Sequence, residues 1–400
     1  MRKGTPPLPG HLVAIVVGAL VGTLFASAAA SMIEPRPETG GIAPPTMSRS
    51  LEPEQTSSPA ASPRDARLLL AWTSGGLPAR AEATLERHPS VRRVTTVRTG
   101  IDWMPRPREE LPDGAVPIEA ALVRPREYAH FVPPAERGPL RDLGPGEALL
   151  AESASGLQET LARGALELID RRLRVRGTID DVAASGYETV MAGGIPESWS
   201  RVDRFMLIQL RSKAKRAVVE DRLRRLLGPG QALRIRARGE TPFLRYGDAV
   251  LPQLVIKKTF GEFSARPLGD GTIVMDPEWK ARNIRTASVP VLGRVTCHRA
   301  LIPQLRAALK EIHQAGLAHT IDRSQYGGCF SPRFIGSEPM GRLSHHTWGI
   351  AIDINVADNA FATKSDQDTR LVEVMERHGF TWGGRWLVPD GMHFEWVRFP

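Results

Sequence analysis

Cysteine is almost missing: Cys297 and Cys329 are the only two in 400 residues. This excludes a disulfide-dense scaffold and a cysteine-rich metal site, and leaves room for a single bridge. Aromatic residues are few, at 6%, and nowhere does a run of arginine and lysine interleave with them. A stacking groove for nucleic acid is thereby excluded. Acid is not in excess either, since 53 basic residues face 44 acidic ones for a formal charge of +9. That balance suits an anionic partner such as an acidic cell wall. Much of the basic charge alternates with acids, as from Arg211 to Arg225, the pattern of a solvated helix face. What the chain does have is 42% hydrophobic residues, enough at this length to fill two or three cores, so it is not a disordered protein.

Met1-Arg2-Lys3 gives a positive start, and Leu12 to Ala30 form an uncharged, mostly apolar run ending in Ala26-Ser27-Ala28-Ala29-Ala30. Residues 1–30 therefore read as a secretory signal peptide or a membrane anchor. As a helix, residues 12–30 would extend about 28 Å, enough to cross a bilayer core of about 30 Å and contact the membrane. Either outcome exports the rest of the chain to the cell envelope, anchored or secreted. Residues 31–65 are rich in Pro, Glu, Ser and Thr and poor in large apolar residues, so they are expected to be a flexible linker.

From residue 66 the periodicity becomes that of folded structure. Leu68–Trp72 and Val91–Val97 read as strands, with a helix over Leu77–His88 that sets Leu77, Ala81 and Leu85 on one face. A Pro/Gly-rich stretch, Pro105 to Gly144, encloses a short apolar segment, Val116–Leu122. Ala148–Leu168 reads mainly as helix, followed by strands at Leu173–Ile179 and Tyr187–Ala192. Strand, helix and strand return at Phe205–Leu210, Ala214–Leu227 and Ala232–Ala237, with a Gly228-Pro229-Gly230 stop after the helix. Residues 66–260 hold no His, Asp, Glu or Cys cluster at ligand spacing and remain without a role. Around Gly144-Pro-Gly-Glu147 and Arg176-Gly-Thr-Ile-Asp180 they weakly resemble the extracytoplasmic domain of macrolide-exporter permeases, although no transmembrane bundle follows.

The chain changes character near Pro290. Ile302–Ala315 is amphipathic, with Leu305, Leu309 and Ile312 on one face. A helix at Thr369–His378 and short strands near Gly349–Ile354 and His393–Val397 complete an α+β pattern. Within it Ser344, His346, Gly349, Ala351 and Asp353 lead on to Asp390, His393 and Glu395. Two imidazoles and a carboxylate fill three corners of a tetrahedral Zn2+ and leave the fourth for water, while a further carboxylate three residues before the last histidine can take that water's proton. His346 and Asp353 are seven apart, so a loop is expected to carry the histidine and a strand the aspartate, with Gly349 allowing the bend between them. Asp353 lies between Ile352 and Ile354, and a buried carboxylate there needs a partner to stay charged.

The spacing Ser-x-His-x-x-Gly-x-Ala-x-Asp, followed by Asp-x-x-His-Phe-Glu, resembles the zinc peptidase family of D-alanyl-D-alanine carboxypeptidases and L-alanyl-D-glutamate endopeptidases, across residues 290–400. The resemblance implies a compact zinc peptidase domain with a small antiparallel sheet and flanking helices, preceded by a separate α+β region. It implies one Zn2+ held by His346, Asp353 and His393, with Asp390 as general base and Glu395 supporting a histidine nitrogen. Arg333, 13 residues ahead of His346, is the candidate for the family's substrate or transition-state arginine, with Arg323 in reserve. Ser344 is expected to fix its loop by a hydrogen bond, and His345 to point away from the metal. Tyr326, Trp348 and Trp382 either line the cleft or belong to the core. Cys297 and Cys329 would meet an oxidising compartment after export and are expected to pair, two separate buried thiols being the alternative. The implied activity is hydrolysis of amide bonds in peptidoglycan stem peptides or their precursors. The competing readings are a non-catalytic wall-binding or scaffold protein and an accessory of a permease.

Overall fold

A computed structural model of the chain describes residues 67–238, 240 and 245–399. The segments read as leader or anchor, 1–30, and as linker, 31–65, lie outside the described residues. Among the described residues no helix is long and apolar enough to cross a membrane. Those residues fall within one compact unit.

The first part is built on a large sheet. Strands β1 (Leu68–Trp72), β2 (Val91–Pro105), β3 (Ala115–Leu122), β4 (Glu147–Ala151), β5 (Ala165–Glu167), β6 (Arg172–Ile179), β7 (Thr189–Met191), β8 (Asp203–Leu210) and β9 (Arg234–Ala237) run in the order β5-β6-β4-β7-β3-β2-β8-β1-β9. The pairs β3–β7 and β4–β6 are parallel. A hairpin of β10 (Ala265–Pro267) and β11 (Ile273–Met275) joins the sheet where Ala265 faces Ala115.

Alternation along β1 explains how both faces are covered. Leu69 and Ala71 enter one core with Leu77, with Ala81 and Leu85 of helix Arg80–Glu86, which starts three residues later than the expected Leu77, and with Val219 and Leu223 of helix Arg216–Leu227. Leu68, Leu70 and Trp72 enter the opposite core with residues of β3, β4 and β7. Each such leucine contributes about 1.5–3 kcal/mol by leaving water.

The segment Ala148–Leu168, expected as helix, is instead β4, a short helix Gln158–Arg163 and β5. Ala148, Leu149, Leu150 and Ala151 are all buried in a strand between β6 and β7, and Gly156 sits at φ +65°. Burial between two strands overrides the helix preference of alanine and leucine, and the left-handed glycine interrupts the run.

The C-terminal part has the expected α+β build. Asp276 caps helix Pro277–Asn283, its carboxylate accepting from the Glu278 N–H at 2.9 Å. A hairpin of β12 (Ile284–Val289) and β13 (Gly293–His298) follows. Helix Leu301–Gln314 buries Leu301, Ile302, Leu305, Ala308, Leu309 and Ile312, a stripe of three- and four-residue steps. With helix Thr369–Arg377 it flanks a three-stranded antiparallel sheet in which β16 (His393–Trp396) lies between β14 (Ala351–Asp353) and β15 (Phe380–Trp382). One hydrophobic core joins these elements to Ile101, Trp103 and Ala115 of the large sheet.

Candidate metal centre and active site

Register on the small sheet assembles the site. Asp353 of β14 faces His393 of β16, and Ala351 faces Glu395. Cross-strand partners hold their side chains on one face, within about 4.5–5.5 Å at Cβ. Between them Ile352 and Phe394, fully buried, pass to the other face and lock the register into the core. His346 arrives from outside the sheet, on the single 3-10 turn His345–Thr347. Ser344 caps that turn, its hydroxyl accepting from the His346 N–H at 3.4 Å. Gly349, at φ +68°, then turns the chain into β14, and a Cβ there would stand 2.7 Å from the His298 nitrogen. Only glycine satisfies both demands.

Three potential ligand atoms, one each from His346, Asp353 and His393, all lie within 4.8 Å of one another, and the three residues are buried. His346 Nδ1 is 2.8 Å from the Cys329 carbonyl oxygen. A carbonyl only accepts, so Nδ1 carries the proton and Nε2 keeps its lone pair for the centre. There His346 Nε2 lies 3.1 Å from Asp353 Oδ2 and 3.2 Å from His393 Nδ1. His393 Nδ1 is 2.9 Å from Asp353 Oδ1, and its Nε2 is 3.3 Å from Glu395 Oε1. His345 Nδ1 lies 3.0 Å from that same Glu395 oxygen.

The charges follow from these contacts. Burial pushes His346 down, and Asp353 only partly offsets it. Burial alone would also lower His393, but hydrogen bonds with Asp353 and Glu395 outweigh it and push the imidazole up to about 10. Burial works to raise Asp353 and Glu395; their imidazole neighbours nonetheless hold both well below the usual carboxylate range. Asp353 meets His393 at Nδ1 and Glu395 meets it at Nε2, so the two carboxylates fix the ring from opposite sides.

Asp390 is brought to the same spot by a tight loop in which the Gly383 carbonyl accepts from both the Trp386 and Asp390 N–H groups at 3.0 Å. Its Oδ1 is buried without a hydrogen-bond partner. Burial raises the Asp390 carboxyl; His393 works against this, and nearby Asp353 and Glu395 add to it. Arg333 Nη2 stands 3.7 Å from Asp353 Oδ2. Arg323, the reserve candidate, lies against Gly293 instead. Cys297 of β13 and Cys329 form a disulfide with Cα atoms 5.3 Å apart, beside the carbonyl that orients His346.

Among the aromatics, Trp348 is core, packed on Phe263 at 5.2 Å between ring centroids. Trp382 stacks on Phe394 and donates from Nε1 to the Gly391 carbonyl at 2.8 Å. The Tyr326 hydroxyl is buried and unpartnered, pushed up to about 12 by burial and by Asp353. Sequence reasoning missed two participants. Trp386 sets its ring 5.4 Å from that of His393. Thr347 holds the arginine loop: its hydroxyl donates to the Arg333 carbonyl at 3.1 Å and accepts from the Arg333 N–H at 3.2 Å. Its only sequence signal is its place directly after His346.

The donor set suits zinc, offering two imidazole nitrogens and one carboxylate with further carboxylates behind them. The unpaired buried atoms Asp390 Oδ1 and Glu395 Oε2 fit such a site, because a carboxylate oxygen without water or partner is costly to bury.

Residues 338–396 match the family model described as D-alanyl-D-alanine carboxypeptidase. This segment therefore carries a peptidase-family sequence. No curated protein matches the chain significantly. Among solved structures, the periplasmic region of MacB from Actinobacillus actinomycetemcomitans is similar at 12% identity, covering 46% of this chain and 95% of that one with a TM-score of 0.31.

Proposed function

We propose that the protein is an exported zinc peptidase that hydrolyses amide bonds in peptidoglycan stem peptides or their precursors, as a D,D-carboxypeptidase or an L-Ala-D-Glu-type endopeptidase. The observation that carries this reading is the meeting of His346, Asp353 and His393 within 4.8 Å, with the unpaired Asp390 carboxylate beside them. His346 through Nε2, His393 through Nδ1 and Asp353 would hold the metal, which supplies Lewis acidity to a water and to the scissile carbonyl when bound.

The remaining work falls to the chain's own groups. Asp390, raised by burial, takes a proton more readily than an exposed aspartate and can return it to the leaving amine. Arg333 places a permanent positive charge near Asp353, where negative charge would grow on the attacked oxygen. Glu395 accepts from His393 Nε2–H and so keeps Nδ1 directed at the centre.

The test is direct. The purified full chain should retain close to one zinc per molecule and release an amine from intact muropeptides, with the product masses naming the bond. Failure to bind zinc, or zinc binding with no cleavage of any muropeptide, would return the chain to the scaffold reading.

A further inference from the structure

The large sheet contains no catalytic group in the reading above, yet it touches the loop that bears Asp390. Asp248, in the turn after β9, accepts from the Leu387 N–H through Oδ2 at 2.6 Å. Its other oxygen lies 3.4 Å from Arg234 Nε of β9. The same guanidinium donates from Nη2 to the Arg385 carbonyl at 3.1 Å. One carboxylate–guanidinium pair thus grips the loop backbone at Arg385 and Leu387. The Leu387 side chain, partly buried, packs on the core beneath β3, β4 and β7. From the other side the Ala362 N–H donates to the Pro389 carbonyl at 2.7 Å. Asp390 therefore hangs between two holds, one from each part of the molecule.

We propose that Asp248 is a positioning residue for Asp390, acting through its hydrogen bond to the Leu387 N–H, and that the large sheet serves the reaction as the mount of the base-bearing loop. This rests on the peptidase reading of Asp390. The physical case is one of tolerance. A general base acts at about 2.6–3.2 Å from its proton, and a shift near 1 Å can cost about a hundredfold in rate. The loop has a glycine pair at its start and no regular strand or long helix of its own. Internally the Gly383 carbonyl ties Trp386 and Asp390, and the external hold adds a tie at Leu387 between them.

The experiment compares Asp248→Ala and Asp248→Asn with the wild type, using the full zinc-loaded chain well below its melting temperature. Asparagine keeps an oxygen that can accept from Leu387, and alanine keeps none. The alanine variant should hold one zinc, lose about tenfold or more in kcat, keep KM within about twofold as expected when ground-state binding is untouched, and exchange backbone hydrogens faster across 385–390. The asparagine variant should keep most of the turnover. Wild-type kcat in the alanine variant, unchanged exchange across 385–390, or equal losses in both variants would overturn the proposal. If the wild type itself shows no turnover, the peptidase reading has failed on its own terms. Unchanged exchange would then still defeat the hold, and faster exchange confined to 385–390 would sustain it.

Discussion

Against the large sheet, Lys257 Nζ of helix Gln253–Phe260 meets Glu188 Oε1 at 2.6 Å, Arg245 reaches both oxygens of Glu119 at 2.5 and 2.7 Å, and Arg171 reaches Asp102 at 2.6 Å. Around His346, the buried acids Asp353 and Glu395 instead share imidazoles, the half-buried Asp390 lies near them, and the nearest guanidinium to Asp353 is 3.7 Å away. Both regions bury carboxylates. The first sets a strong base against each of these acids, with Lys257 serving Glu262 as well as Glu188. The second gives its acids partners whose protons can move, and leaves oxygens of Asp390 and Glu395 unpaired. Burial of an acid therefore does not by itself mark a site; the partner differs, a fixed base in one region and an imidazole in the other.

The contrast breaks hardest at Asp353. Asp353→Ala should remove both bound zinc and turnover, since two imidazoles alone hold the metal poorly. Full zinc occupancy in that variant would mean the site has been misassigned. Next comes Asp390→Asn, which keeps the shape but removes the base. Zinc should stay near one equivalent while turnover falls by roughly 10²- to 10⁴-fold, the usual share of acid-base catalysis. A variant that keeps more than about a third of its rate, against that expectation, would transfer the role to Glu395.

The opposite signature is expected in the sheet. Lys257→Met strands Glu188, whose carboxyl burial already raises, and should cost about 3–5 kcal/mol in urea unfolding. The folded fraction should keep its metal and turnover, so a loss of zinc affinity there would blur the two classes. Smallest is Arg224→Ala, which removes the exposed i,i+4 pair with Glu220 at 2.6 Å and should change stability by less than about 0.5 kcal/mol.

The sequence shows the site better than the fold that carries it. His346, Asp353, His393, Asp390 and Glu395 stand out through the resemblance of their two short segments to a zinc peptidase family, and Ile352 and Phe394 betray the strands by alternation. Helix Leu301–Gln314 is legible for the same reason, its apolar stripe facing one core. Ala148–Leu168 misleads because its alanines and leucines suit a helix, while β6 and β7, remote in sequence, decide for a strand. The grip of Asp248 on Leu387 spans 139 positions. No local pattern encodes it, because a hydrogen bond between a turn carboxylate and a loop N–H exists only once both regions have packed. The hairpin β10–β11 is hidden likewise: its Thr272 bridges to Arg333, and the Ile273 N–H donates to the Pro332 carbonyl at 3.3 Å.

The disulfide carries a consequence for time rather than for structure. If His346 holds a metal, release through a swing of that ring must break the 2.8 Å bond to the Cys329 carbonyl. That carbonyl cannot follow the ring, because its residue is bonded to Cys297 on β13 and the next residue, Phe330, donates to the Thr296 carbonyl at 3.0 Å. That route therefore waits on a local opening, which should lengthen the residence of a bound ion. Cutting the bridge leaves every ligand in place but loosens the hinge, so isotope exchange of the metal should quicken well before equilibrium affinity changes.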